Sequence, residues 1–215
     1  MFGTKEIGMS VLDINWRPKF GAIFIWFAMD KFGRIGVMVN NCFGDIPICI
    51  LRIKDVNIWL DHINEYMWEE SEIYNNYPND KGSDFKADLY SSWGFKKKQN
   101  REEVEKEFLR QFEVCGRGSE VSLVVNRGFF VYYAIEGSCE GEDSPVGYSG
   151  KTKMGDYYRF LVPSIYASIL DFPKDLHHVI AVSPTLDFTR DRVLDNSKIN
   201  DYFPYCYSDK DVFHC

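Results

Sequence analysis

A Gly-Lys-Thr triplet is the part of this sequence that comes closest to a known chemical motif. Gly150, Lys151 and Thr152 match the end of the phosphate-binding pattern GxxxxGK[ST]. The first glycine of that pattern would fall at Pro145, and the stretch after Thr152 leads into a strand-like run rather than into a helix whose N-terminus could hold phosphate. We therefore predict a loop without a bound nucleotide here, and no cofactor.

The histidines and the C-terminal cysteines do not form a recognisable metal site. His177 and His178 are neighbours, so in a strand their side chains would point to opposite faces and could not readily share an ion. Cys206, His214 and Cys215 are close in sequence, but no second cysteine stands at the short spacing that zinc sites use. Free surface groups are the simpler interpretation, and we predict no metal ligand.

One pair of residues has a spacing that suits acid and base chemistry. His62 and Glu65 lie three residues apart on a predicted helix, a spacing compatible with a proton-transfer pair or a metal. They stand among other carboxylates, so a solvated helix face explains them equally well. Because the chain has no GxSxG motif and its sequence pairs no cysteine with a histidine, we predict no catalytic residue. A hydrolase with an unrecognised site stays open, to be tested by altering His62 or His177.

Two clusters of carboxylates are the remaining candidates for function. The first predicted partner-binding set lies in one Gly-rich loop and consists of Glu136, Glu140, Glu142 and Asp143. The second set ends a predicted helix and consists of Glu69, Glu70 and Glu72. Acids at a helix C-terminus oppose the helix macrodipole, so a basic partner would supply the compensation that the helix lacks. For the loop, a merely solvated acidic segment is the alternative.

The overall composition indicates a folded, acidic protein. The 215 residues are 45% hydrophobic and 27% charged, which allows a substantial core without metal or disulfide. A formal charge of -7 gives the surface a negative field that repels nucleic acid and anionic lipid. We therefore expect a basic protein partner, and neither nucleic acid nor membrane.

The expected location follows from the apolar runs and the cysteines. The N-terminal residues lack the pattern of a secretory signal, and the longest apolar run, residues 22–29, is far shorter than the roughly 20 residues of a membrane-spanning helix. The six cysteines have no CxxC spacing, and they are Cys42, Cys49, Cys115, Cys139, Cys206 and Cys215. These features predict free thiols and a cytoplasmic protein.

Alternating apolar residues predict two β-hairpins. Residues 24–39 read as two strands about a turn at Asp30 and Gly33, and both faces of the first strand are apolar, which is typical of a central strand. Residues 120–125 and 129–135 read as the second hairpin. Antiparallel pairing is therefore the expected theme of the sheet.

Two amphipathic helices are predicted between these hairpins. Residues 55–70 carry apolar side chains at helical spacing, with Asp55 placed to cap the first turn. Residues 100–116 carry a narrower apolar stripe, and Asn100 followed by Glu103 forms a capping pair. The outer face of the second helix is charged, which indicates solvation.

The elements combine into an α+β fold, with an antiparallel sheet built from β-hairpins and helices packed on one face. Residues 178–183 add a further short strand. We predict a single α+β domain over residues 1–215, with two lobes joined around residues 74–99 as the alternative, because that span is mostly polar.

The segment WFAMDKFGRIGVMVNNCFGDIP, residues 26–47, combines an aromatic strand, an Asp-x-x-Gly turn, a second strand and a Gly-x-x-Pro ending. In this it resembles the opening hairpin of bacterial immunity proteins that accompany polymorphic or contact-dependent growth inhibition toxins. The later pieces GFFVYYAIEG and YYRFLVPSIYASILDFPKDL are similar to the second half of such proteins. The resemblance implies a cytoplasmic, acidic α+β protein that binds a co-encoded toxin domain, often a nuclease, and blocks its active site. It carries over no site residue.

Three hypotheses for function follow, from different classes. An immunity protein that neutralises a cognate toxin domain is the leading one, since an acidic inhibitor can compete for the basic surface with which a nuclease holds phosphates. A non-catalytic adaptor is the second, and it differs because its partner would be harmless when produced alone. A hydrolase or transferase is the third, and it requires turnover by the isolated protein.

Overall fold

The aromatic segment around Phe27 forms two antiparallel strands in the middle of the sheet. The computed structural model describes residues 12–94 and 100–208. Strand β1 (Ile25–Met29) pairs with strand β2 (Ile35–Val39) as the sequence predicts. In the turn, the Asp30 carboxylate accepts the backbone N–H groups of Phe32 and Arg34, and Gly33 has the positive φ, 80°, that glycine adopts without strain.

The remaining elements are mostly short. The helices are α1 (Ile48–Leu51), α2 (Val56–Trp68), α3 (Arg101–Cys115), α4 (Glu120–Val125) and α5 (Ile199–Tyr202). Short 3-10 turns lie at Gly116–Gly118, Ile169–Asp171, Lys174–Val179 and Asn196–Lys198. The further strands are β3 (Phe85–Ala87), β4 (Tyr90–Ser91), β5 (Phe130–Ala134), β6 (Pro145–Val146), β7 (Tyr157–Pro163), β8 (Ile180–Val182), β9 (Val193–Leu194) and β10 (Tyr205–Cys206).

The main sheet mixes parallel and antiparallel pairs. Within the described ranges it has eight strands in the order β10-β8-β1-β2-β5-β7-β3, and β9 also pairs with β7. The pairs β1 with β8 and β2 with β5 are parallel, and the other pairs of this sheet are antiparallel. The predicted α+β class is confirmed, with a sheet richer in crossovers than a series of hairpins.

The predicted second hairpin is wrong, because residues 120–125 form helix α4. Strand β5 follows it as expected, but its two edges are occupied by β2 and β7, so no edge remains for a hairpin partner. The helix also satisfies polar groups locally, since the Ser122 hydroxyl donates to the backbone oxygens of Arg117 and Ser119 at 2.6 and 2.7 Å. Tertiary pairing thus overrides the β-branched composition of this segment.

Both faces of the sheet are covered. Phe27 and its neighbour Trp26 point to opposite faces, and both are fully buried. On one face, the Phe27 ring meets Phe172, which in turn contacts Tyr66 of α2. On the other face, the Trp26 ring meets Phe203 at the end of α5, at a centroid distance of 5.3 Å. The longer helices therefore cover the Phe27 face, while short helices and loops cover the Trp26 face.

The buried side chains form one cluster that extends from Leu12 to Phe203. The described part of the polar span, residues 74–94, contributes to it, because β3 pairs with β7 and Ala87 and Leu89 are fully buried. In the part of the chain that the structure describes, no helix has both the length and the apolar character to cross a membrane.

Candidate protein-binding surface

Helix α2 presents an apolar face to the core and a mixed face to solvent. Its inward residues include Leu60, Ile63 and Met67, at the spacing that the sequence predicts. The predicted cap is only half right: Asp55 occupies the N-cap position, but its backbone is left-handed, with a φ of 57°, and its side chain accepts no capping hydrogen bond. Outward, Ile58 is 55% exposed beside the exposed carboxylates of Asp61 and Glu65.

A line of aromatic and imidazole rings connects α2 to two surface loops. Trp59 packs against His178 with ring centroids 4.6 Å apart, and against His62 at 6.0 Å. His62 in turn packs against Tyr74 at 6.1 Å. We call the outer face of α2, together with residues 70–75 and 170–178, the α2 surface.

A groove of about 430 Å³ opens beside this line of rings, between residues 73–78 and 170–173. Tyr74 and Tyr77, both half-buried, form its accessible aromatic part, and the buried rings of Tyr66 and Phe172 form its floor. Its rim carries two exposed apolar side chains, Ile73 at 63% and Leu170 at 88% exposure. We call this the tyrosine groove. An accessible aromatic cleft with an apolar rim has the composition of a protein-binding hot spot.

The floor of the tyrosine groove is held by a buried cation. The Arg127 guanidinium lies over the Tyr66 ring, 4.8 Å from its centroid, and 5.8 Å from the Tyr77 centroid. The Tyr66 hydroxyl donates to the backbone oxygen of Asp171, whose carboxylate pairs with Lys81 at 3.0 Å. The ring positions are thus set by contacts within the protein, which lowers the entropy lost on binding a partner.

Exposed carboxylates lie on the α2 surface beside the groove. The exposed acids of the α2 surface are Asp61, Glu65, Glu70, Glu72 and Asp175. Among the described residues, no Lys or Arg nitrogen forms an ion pair with any of them, and only His62 approaches, at 3.7 Å from Glu65. Burial, together with the Glu65 charge, raises the pKa of Asp61. These five acids outnumber Lys174, the exposed lysine of residues 170–178, so the α2 surface carries a net negative charge.

Two of the three acids predicted at the end of α2 belong to this surface, and Glu69 does not. Glu69 ends the helix in a left-handed conformation, with a φ of 61°, and its carboxylate turns inward. Arg117 pairs with it at 2.6 Å and Arg127 at 3.4 Å. The compensation that the sequence led us to expect from a partner is thus supplied by the protein's own arginines. Glu70 and Glu72 remain exposed.

The predicted loop cluster is only partly on the surface. Glu140 and Glu142 are exposed, whereas Asp143 is buried and its Oδ1 accepts the Ser92 hydroxyl and the Trp93 backbone N–H at 3.2 and 3.1 Å. Glu136 is half-buried, and burial, with the nearby Asp143 charge, raises its pKa. Asp143 thus anchors the loop to the turn after β4, and two of the four acids remain available to a partner.

The catalytic and metal alternatives gain little from the geometry. His177 is buried, with Nε2 3.0 Å from the Phe172 backbone oxygen, while the Nδ1 of His178 lies 2.8 Å from that of Asp175. No group of three or more potential metal ligands occurs in residues 12–94 and 100–208. His214 and Cys215 lie outside the described residues.

The segment after Lys151 behaves as the sequence predicts. A turn, rather than a helix, follows the Gly-Lys-Thr triplet, and it leads into β7 at Tyr157. A phosphate-binding loop at this position would need a helix directly after it, and a turn stands there instead.

A buried ion cluster was missed by the sequence interpretation. Asp88 pairs with Arg159 of β7 at 2.6 Å and with Arg192 at 2.7 Å. Burial opposes ionisation of Asp88, but the two arginines outweigh it and hold the pKa of that carboxyl below its usual range. The available signal was Arg159 itself, since an arginine inside the apolar run YYRFLVP requires a buried partner.

The site is thus an acidic surface beside a preformed aromatic groove. Exposed acids attract positive charge, and fixed rings lower the entropy lost on contact with another molecule. Neither known protein families, nor curated proteins, nor solved structures gave a match to this chain.

Proposed function

We propose that the protein is an immunity protein, which binds a cognate toxin domain of basic surface and occludes its active site. The observation that carries the proposal is the tyrosine groove beside the exposed acids of the α2 surface, which form no ion pair with a Lys or Arg of the described residues. Lysines and arginines on a partner would supply positive charge opposite these acids. Apolar partner side chains would bury Ile73 and Leu170.

The class of toxin follows from the same charge argument. A nuclease needs positive charge to hold phosphates, and an acidic protein that covers this charge excludes the nucleic acid. The resemblance of residues 26–47 to immunity proteins supports a nuclease as the toxin, because the toxin that such proteins bind is often a nuclease. On this proposal the protein acts in the cytoplasm as a protein-binding inhibitor without catalytic activity.

Capture of the partner is the first test. The tagged full-length protein is incubated with a lysate of its source organism and washed at low and then high salt, and retained proteins are identified by mass. We expect one stoichiometric partner whose isolated domain arrests growth, and growth should return when this protein is co-produced. No partner, or a harmless one, would contradict the proposal and favour an adaptor.

Charge reversal then identifies the surface. Glu70→Lys with Glu72→Lys should slow association with the captured partner by roughly tenfold at low salt and weaken its salt dependence, because steering charge is lost. Glu140→Lys with Glu142→Lys is the matched control, with the same change in net charge on the loop. If the two double variants slow association equally, the α2 surface is not the docking site, even if the function stands.

A further inference from the structure

Two cysteines meet at the edge of the main sheet. Cys49 lies in α1 and Cys206 in β10, the strand that pairs antiparallel with β8, where Cys206 stands opposite Ala181. The Cys49 thiol lies 3.4 Å from the backbone oxygen of Phe203, three residues before Cys206. The Cys206 thiol is close enough to share a hydrogen bond with the Cys49 sulfur. Both residues are half-buried.

The environment makes the two thiols unequal. The hydrogen bond from Cys206, helped by the backbone N–H groups of Ile50 and Cys49 and by the Arg52 charge, lowers the pKa of Cys49 against the effect of burial. The same hydrogen bond, together with burial, raises the pKa of Cys206. These directions favour attack by Cys49 first, with the Cys206 thiol as the donor of their shared hydrogen bond.

We propose that Cys49 and Cys206 are a redox-active pair that closes to an intramolecular disulfide by exchange with a low-molecular-weight disulfide. The Cys49 thiolate attacks one sulfur of the small disulfide, whose S–S bond breaks and releases a thiolate. Cys206 then loses its proton to that thiolate, and its sulfur attacks Sγ of Cys49. The mixed disulfide breaks and releases a second small thiolate. The two cysteines lose two electrons in total, and the small disulfide gains them.

The other described cysteines lack this arrangement. Cys115 is exposed at the end of α3, Cys139 is exposed in the loop after β5, and Cys42 is buried. A bond between Cys49 and Cys206 would tie α1 to β10 and close the chain between positions 49 and 206. Because this constrains most of the unfolded chain, we expect the melting temperature to rise by about 5 to 15 °C.

Peptide mapping after oxidation tests the pair. The full chain is treated with oxidised glutathione, free thiols are alkylated, and the digest is analysed by mass. We expect a Cys49–Cys206 cross-linked peptide, with single glutathione adducts at Cys115 and Cys139. In the Cys206→Ser variant the mixed disulfide should accumulate at Cys49, because no second thiol is present to resolve it.

Two results would overturn the proposal. One is glutathione at Cys49 in the unaltered chain without any cross-link, since a neighbouring Cys206 should resolve it. The other is no reaction at Cys49 under conditions that modify Cys115. The melting temperature supplies an independent check, because it should rise on oxidation and fall back when a dithiol reductant is added.

Discussion

At the scale of single residues, Glu69 shows why charged positions were hard to place from the sequence. It stands in a run of acids, yet its two arginine partners lie 48 and 58 positions away, at Arg117 and Arg127. Such ion pairs cannot be predicted from local sequence spacing, because only folding brings the two residues together. Asp143 is a similar case, since its hydrogen-bond partner Ser92 lies 51 positions away. Glu70 and Glu72, which form no ion pair with any of the described residues, are exposed on the surface, as the sequence predicts.

The buried cluster around Asp88 yields a stability prediction. Asp88→Asn removes the charge that Arg159 and Arg192 require, and breaking a buried pair from one side costs about 3 kcal/mol in free energy of unfolding. Denaturant unfolding at neutral pH measures the loss. Glu107→Gln, which removes the exposed pair with Arg110, is the control and should leave the midpoint unchanged. An equal effect of the two substitutions would contradict the assigned role.

The same carboxyl makes stability depend on pH. Because the folded-state pKa of Asp88 is below its unfolded value, its contribution is fully present above the ordinary carboxyl pKa of about 3.9 and is lost as the pH falls through the lower folded-state value. The difference in unfolding free energy between the native chain and Asp88→Asn should therefore shrink below about pH 4. A difference that stays constant down to pH 2 would show that the Asp88 charge is not responsible.

The carboxyl of Glu120 should make stability change with pH in the opposite direction. It is half-buried, and burial raises its pKa even though the Tyr133 hydroxyl donates to it. A raised carboxyl pKa gives stability that is present below the unfolded pKa and lost as the pH rises through the folded one. Glu120→Gln should therefore stabilise the protein at neutral pH by roughly 1 kcal/mol and have little effect near pH 3. Thermal unfolding at both pH values checks this, and destabilisation at neutral pH would refute it.

At the scale of elements, the sequence predicted structure correctly where the stabilising contacts join residues that are close in sequence. The first hairpin and the Asn100 cap of α3 were predictable, since each depends on residues a few positions apart, and Asn100 does exchange hydrogen bonds with Glu103. Residues 120–125 were not, because their helical state follows from the pairing of β5 with β2 and β7. The spacing of apolar residues does not show which edges of a neighbouring strand are already paired with other strands.

The junction between α4 and β5 depends on one glycine. Gly128 has a φ of 76°, and a Cβ there would lie 2.5 Å from the backbone oxygen of Ile165. Gly128→Ala should therefore cost more than about 2 kcal/mol, because backbone strain and a backbone clash combine. Gly141→Ala is the matched control, with a φ of 83° but open space around it, and it should cost only about 1 kcal/mol. Equal losses in denaturant unfolding would mean that the contact with Ile165 is unimportant.

At the scale of the whole molecule, the apolar patterns indicated the α+β fold and the composition an acidic surface, but neither indicated where function lies. The tyrosine groove joins Tyr66 of α2 to residues 73–78 and 170–173, which are about a hundred positions apart and carry no shared motif. Of the acids near it, Glu70 and Glu72 were predicted from the sequence, whereas the exposed Ile73 and Leu170 were recognised only in the folded chain. When a docking surface is assembled from such distant segments, its clustered acids are the main feature that can be recognised in the sequence.

Growth rescue by surface variants tests the central claim most directly. The toxic domain of the captured partner is co-produced with the native protein, with Ile73→Asp/Leu170→Asp, or with Leu109→Asp/Val114→Asp, which makes the same change at two exposed apolar residues of α3. The account predicts that the native protein and the α3 variant restore growth, and that the groove variant fails although it folds normally. Rescue by the groove variant, or equal failure of both variants, would contradict it.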